Sequence, residues 1–355
     1  MYSENSKSFS ILAVLTFILI FVFISCEENN GNDEPGQGPA TIEWVEVDYI
    51  TGNSALFTAD ITGDISSITE MGFCWSQNPS PAISDNVITI DEPIFGIFSE
   101  RAQGLPESTI FYLRAYYSTD LNTWYSEQLS FKTTETVSDY QGNNYNTVQV
   151  GEQIWLAENL RTLNYNNGDS IISGKGAGNY TNMSQPRFYF YYGDDTTNMH
   201  DYGLLYTWYV ITDERGICPA GFRVPDISDW EKMVLHLDIL AKPIDELGGG
   251  NHELSPVAGG MLKATGNLDD GTGLWEPPNG GANNITQMNV LPTGVRDPSG
   301  AFSGLGFNAA FWSFTEETNQ QAIMFYAHFF NAGFYSNIFD KRTGYAVRCM
   351  KEADH

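Results

Sequence analysis

The stretch Cys218-Pro-Ala-Gly-Phe-Arg-Val-Pro-Asp-Ile-Ser-Asp-Trp230 decides how the chain is read. Pro219 and Gly221 break whatever precedes them. Phe222 and Val224 alternate with polar neighbours, as a short strand would. Ser228 with Glu231 three residues on predicts a capping box and a helix start. Trp230, Met233, Val234, Leu237 and then Leu240 or Ala241 recur at helical spacing, and Pro243 is the predicted stop. The stretch is a turn, an extended run and an amphipathic helix in close succession, which is the grammar of a compact mixed domain.

Composition bounds what surrounds it. The chain has 355 residues, room for two ordinary domains. Aromatics make up 14% and glycines number 34, so turns are frequent and cores are aromatic. The formal net charge of −27 repels nucleic-acid backbones and anionic lipid head groups, which removes both as partners. Ile11 to Phe23 is an apolar run broken by Thr16, the length of a signal-peptide core. Ser25-Cys26 follows, and the junction resembles the lipobox of bacterial lipoproteins. The resemblance implies a signal peptide over 1–25 and lipidation at Cys26, and hence membrane attachment through that anchor. The polar, acidic stretch 26–39 is then a flexible tether. Its acidic start resembles the export signals of surface lipoproteins in Bacteroidetes-type bacteria, which implies anchoring to the outer membrane and surface exposure.

Residues 40–135 read as short strands separated by turns: Ile42–Val47, Ala55–Ala59, Met71–Trp75, Val87–Ile90, Ile110–Tyr117 and Trp124–Phe131. Strands at this spacing predict an all-β sandwich. Gly72-Phe73-Cys74-Trp75 with Leu105-Pro106 and Tyr112-Leu113-Arg114-Ala115-Tyr116 resembles fibronectin-III/Ig-like spacer modules. Cys74 has no second cysteine in this segment and is expected to pack as a small buried hydrophobe.

A second domain is expected over 139–351. Tyr145, Val148 and Val150 form a strand, Gly151 turns, and Ile154-Trp155-Leu156 returns. This opening, with Gly203-Leu-Leu-Tyr-Thr-Trp208, Cys218-Pro-Ala-Gly-Phe-Arg-Val-Pro225, Gly259-Gly-Met-Leu-Lys263, Phe311-Trp-Ser-Phe-Thr-Glu316 and Gly344-Tyr-Ala-Val-Arg-Cys349, resembles the Fibrobacter succinogenes major paralogous domain family. Phe222 stands where that family more often has Trp, and Phe314 where it more often has Ser. The resemblance implies an α+β C-type-lectin-like fold akin to the sulfatase-modifying-factor group, with paired N- and C-terminal strands. It places Cys218 and Cys349 at framework positions, and we expect them to form a disulfide, as an envelope compartment permits.

Residues 243–310 are rich in Gly, Asn, Asp and Pro, and a loop region this long has a function or wraps a partner. We expect a ligand there, a glycan or a surface protein. Trp275 is the aromatic candidate, Asp269, Asp270, Asn279, Asn283 and Asn284 supply hydroxyl-binding groups, and glycines at 248–250, 259–260 and 280–281 allow close backbone approach. Tyr189, Tyr191 and Tyr192 are further aromatic candidates. Asp194, Asp195, Asn198 and Asp201 could gather oxygens for calcium, although the spacing matches no EF-hand loop; no other cofactor is expected. The five histidines show no HExxH spacing, and no GxSxG elbow is present. With both second-domain cysteines paired, no thiol nucleophile remains, so a non-enzymatic role is expected. The alternatives are a structural envelope protein without a discrete ligand and a catalytic relative of the sulfatase-modifying group.

Overall fold

Alternation of apolar residues builds the first half of the chain. The computed structural model describes residues 38–90, 92–244 and 250–353. The apolar run 11–23, Cys26 and most of the tether lie outside the described residues. So do Gly248 and Gly249. From Pro39 onward the chain forms one compact unit.

The strands β1 (Ala40–Asp48), β2 (Ile50–Thr51), β3 (Ser54–Gly63), β4 (Glu70–Ser76), β5 (Asn86–Ile90), β6 (Gly96–Gln103), β7 (Ile110–Ser118), β8 (Thr123–Tyr125) and β9 (Leu129–Lys132) come first. They make two antiparallel sheets, β1-β3-β6 and β5-β4-β7-β8, with β9 also on β7. In β3, Ala55, Phe57, Ala59 and Ile61 face inward at period two. Phe57 meets Phe73, Trp75 and Phe131 with ring centroids 5.5–5.7 Å apart, so one core joins the sheets. Cys74 is a buried free thiol whose pKa burial pushes up to about 11. The run Trp124–Phe131 is two short strands, not one, and β6 was not legible. Its sequence Gly-Ile-Phe-Ser-Glu-Arg-Ala-Gln buries only Phe98 and Ala102, and Ile97 faces solvent.

The remaining strands are β10 (Val137–Ser138), β11 (Asn144–Tyr145), β12 (Thr147–Val150), β13 (Gln153–Leu156), β14 (Ile172–Ser173), β15 (Phe188–Phe190), β16 (Leu205–Thr207), β17 (His252–Ser255), β18 (Thr293–Arg296), β19 (Phe302–Leu305), β20 (Asn308–Glu316), β21 (Gln321–His328), β22 (Phe334–Asp340), β23 (Gly344–Tyr345) and β24 (Met350–Glu352). Among the described residues four short α-helices join them: α1 (Asn198–Tyr202), α2 (Trp208–Ile211), α3 (Ile227–Leu237) and α4 (Ala258–Leu262). The β12–β13 hairpin turns at Gly151, whose φ of 57° suits glycine. β13 pairs on its other side with β24, so the two ends of this domain lie together. The sheet β17-β22-β21-β20 packs its Phe311, Phe325 and Phe334 against Trp230 of α3. Cys218 and Cys349 are joined by a disulfide across 131 residues and sit in a second core with Tyr206, Trp208 and Trp312.

Two expectations for α3 are corrected. Its cap is Asp226, not Ser228: Asp226 Oδ1 accepts from Asp229 N at 3.1 Å, and Asp229 Oδ2 accepts from Asp226 N at 2.8 Å. An Asp-x-x-Asp box two residues upstream wins because aspartate caps as well as serine does. Ser228 instead donates to Asp226 at 2.7 Å. The helix ends at Leu237, before the proline, and Leu240 is 82% exposed.

The two halves are tied directly. β2 extends the β12-β13-β24 sheet by pairing with β12. Thr134 Oγ1 donates to Thr147 O at 2.9 Å, and Arg101 Nη2 donates to Ile285 O at 2.6 Å. Asp48 of β1 pairs with His236 of α3 and accepts from Gly151 N.

Candidate functional site

Two buried cations explain how the polar stretch after α3 becomes structure. Lys263 is fully buried and meets no carboxylate among the described residues; its ammonium donates to the carbonyls of Gly280, His328 and Asn331 at 3.0, 3.0 and 2.8 Å. Burial pulls its pKa down to about 8, while the three carbonyls favour the charged form. Arg348 is equally buried. It donates to Asn159 Oδ1 at 2.6 Å, to Leu156 O and Met288 O at 2.8 Å, and to Asn289 O at 3.2 Å. The irregular segment is therefore pinned at 280 and at 288–289 from inside.

This geometry overturns Trp275 as an exposed ligand aromatic. The Asn267–Trp275 turn folds back through a Leu268 N to Trp275 O bond, and the indole is driven into the core with 0% exposure. Its Nε1 donates to Val290 O at 3.0 Å, and the Lys263 ammonium lies 5.1 Å from the ring. Asn279 is likewise buried, and its Nδ2 donates to Ala264 O at 3.0 Å and Gly266 O at 2.8 Å. The other candidates serve their own turns. Asp270 accepts from Thr272 N and Asn267 Nδ2, both at 3.0 Å, and hydrogen bonds from Thr272 lower its pKa. Asn283 accepts from Ile285 N at 3.0 Å, and Asn284 exchanges bonds with Asn289 at 2.7 and 3.0 Å. Asp269 is exposed. No hydrogen bond joins the 269–270 pair to the 283–284 pair among the described residues. Tyr189 is buried, and Tyr191 and Tyr192 are half-buried.

The calcium set does not converge either. Asp194 Oδ2 accepts from Gly176 N at 3.0 Å, Asp195 from Thr197 N at 2.9 Å, and Asn198 Nδ2 donates to Tyr192 O at 2.9 Å. Asp201 pairs with His200 at 3.0 Å. Among the described residues no three His, Cys, Asp or Glu side chains gather to hold a metal.

A cavity of about 360 Å³ lies elsewhere, beside the disulfide. Ile211, Ile217, Cys218, Phe222 and Val224 give it an apolar floor, and Phe314 forms a rim with 49% of its surface exposed. Three charges border it. Asp213 accepts from Arg215 Nε and Nη2 at 2.8 and 2.9 Å and pairs with Arg187 at 3.0 Å. The Arg215 bonds hold its pKa at about 2. Arg223 forks onto Asp229, and that bond raises its pKa; the guanidinium remains half exposed at the cleft. Burial opposes ionisation of Asp226, but bonds from Ser228 and from Asp229 N outweigh it and hold the carboxyl below the usual range. The cleft thus sets an apolar floor and one exposed ring beside fixed charges of both signs.

The sequence reading passed over this cleft. Its signal lies in Phe222 and Phe314, the two departures from the family pattern. Both border the cleft.

A β-rich domain whose terminal strands pair and whose last cysteine is bridged to Cys218 is thus defined. Residues 148–351 match the Fibrobacter succinogenes major domain, and the chain belongs to that family. No curated protein matches. Among solved structures, the sensor domain of the anti-sigma factor RsgI4 in Pseudobacteroides cellulosolvens is 19% identical, covering 27% of this chain and 96% of that one with a TM-score of 0.22. A score so low carries no statement about the fold.

Proposed function

We propose that the chain is a lipid-anchored cell-envelope protein whose family domain is a non-catalytic ligand-binding module of C-type-lectin-like type. The fibronectin-III/Ig-like sandwich is its spacer, and Cys26 carries the lipid at the outer membrane, with the protein facing outward. The observation that carries the reading is the cleft of about 360 Å³ beside the disulfide, where exposed Phe314 rims an apolar floor. An exposed ring beside fixed charges suits a glycan face or a protein segment. The non-catalytic part rests on Cys218 and Cys349 being bridged, which leaves neither thiol as a nucleophile.

Glycan and peptide arrays probed with the chain, once as it stands and once as Phe314→Ala, test the module. Saturable binding to some array member that Phe314→Ala weakens supports it; absence of saturable binding to every array member sinks it, and binding wholly indifferent to Phe314 removes the site from this cleft. For the anchor, Cys26→Ala is expected to abolish uptake of labelled fatty acid, and undiminished labelling would contradict it. Among the described residues no helix is long and apolar enough to cross a membrane.

A further inference from the structure

A second cleft opens where the sandwich meets the family domain. Its volume is about 170 Å³. Thr51, Asn53 and Glu107 line it from the sandwich; Asn146, Gln287 and Asn289 line it from the family domain. All six side chains form hydrogen bonds, and part of that capacity is unspent. Gln287 Nε2 donates to Asn284 O at 3.0 Å, and its Oε1 has no partner among the described residues. Asn146 Nδ2 donates to Glu158 Oε1 at 3.1 Å, which leaves its Oδ1. Asn53 Oδ1 accepts from Thr51 Oγ1 at 3.0 Å, which leaves its Nδ2.

The family-domain wall is also pre-set. Asn284, Gln287 and Asn289 hold left-handed φ angles of 48°, 61° and 49°. Side-chain-bearing residues adopt that region sparsely, and such strain persists only where the surroundings impose it. Here three clamps impose it: Arg348 on Met288 O and Asn289 O, Thr286 Oγ1 on Met261 O at 2.9 Å, and Arg101 of the sandwich on Ile285 O. The last clamp comes from the other half of the chain, so the wall is built jointly.

Chemistry narrows the occupant. Among the described residues the lining carries one carboxylate, Glu107, and no cation. With a chain charge of −27, anionic ligands are disfavoured. Amide and hydroxyl groups that offer both donors and acceptors match hydroxyl groups, which do the same. The volume admits about one sugar ring. We propose that this junction cleft is a recognition site for one ring of a neutral glycan, distinct from the cleft beside the disulfide. The proposal rests on reading the chain as a ligand-binding protein, and it makes the sandwich part of the binding surface as well as a spacer.

The test is calorimetric titration of the chain carrying Cys26→Ala with neutral gluco-, manno-, xylo- and N-acetylglucosamine oligosaccharides. Gln287→Gly removes the amide and keeps a residue at ease with the left-handed backbone, so folding is preserved. At least one oligosaccharide is expected to bind. Gln287→Gly combined with Asn53→Ala is expected to weaken it about tenfold or more at unchanged melting temperature. Phe314→Ala is expected to leave it unaltered. If no oligosaccharide binds, or the double variant binds as well as the parent, the proposal falls. If Phe314→Ala alone abolishes binding, the sugar sits beside the disulfide: the junction proposal falls and the ligand-binding reading stands. If only peptides on the array bind, the same separation holds.

Discussion

Replacing Arg348 by Met is the most informative single change to the interior. The guanidinium has no exposed surface and donates to four oxygens, those of Leu156, Met288, Asn289 and the Asn159 side chain. Burial lowers its pKa to about 9, so it stays charged at neutral pH. Methionine fills most of the volume and donates nothing. Leaving a buried acceptor without its donor costs about 1–3 kcal/mol each, so four at the low end amount to about 4 kcal/mol. Release from burying a charge offsets part of this, and we expect a net loss of about 3 kcal/mol. Urea unfolding followed by tryptophan fluorescence, with the disulfide kept oxidised, measures it. Amide exchange should also quicken at Met288–Val290, the segment that Arg348 holds. A loss below about 1 kcal/mol with unchanged exchange there would refute the idea that a buried cation pins the irregular segment.

Trp275→Ala should cost about 3–5 kcal/mol by opening a cavity in the core, read as a lowered melting temperature; an unchanged melt would return Trp275 to the surface. The Asp48–His236 pair gives the junction a pH dependence. The Asp48 hydrogen bond raises the His236 pKa above its unfolded value of 6.5. The stabilisation is therefore complete below pH 6.5 and is lost as pH rises through the higher folded value. Melting temperature should fall over that window in the parent and lose this component in His236→Gln; equal slopes in both would contradict it.

Much of the architecture could be read from local pattern, because β3, β4, β7, the β12–β13 hairpin and α3 carry their periodicity within a few residues. What failed depended on distant partners. Trp275 lies among glycine and proline, the signature of a loop, and its burial follows from Lys263 and Val290, which no local window contains. Lys263 and Arg348 are residue types that normally sit at the surface, so nothing nearby marks them as interior anchors. β6 hides because one of its apolar residues, Ile97, points outward. Cys218–Cys349 was legible because both cysteines stand in recognisable segments. The cleft beside that bridge was not, since its walls come from residues 166, 211–226 and 314. Most side chains of the polar stretch hold the loop itself. Its 287–289 edge reaches a cleft, and there it needs Asn53 and Glu107 from the sandwich.

Ile211 and Ile217 floor the cleft beside the disulfide, whereas Ile61 lies in the sandwich core. Methyl NMR of isoleucine-labelled protein, titrated with a ligand identified on the arrays as dependent on Phe314, therefore tests directly where that ligand sits. The account predicts shifts at the Ile211 and Ile217 methyls that saturate with binding while Ile61 stays still. Saturable binding that leaves Ile211 and Ile217 unmoved would contradict it.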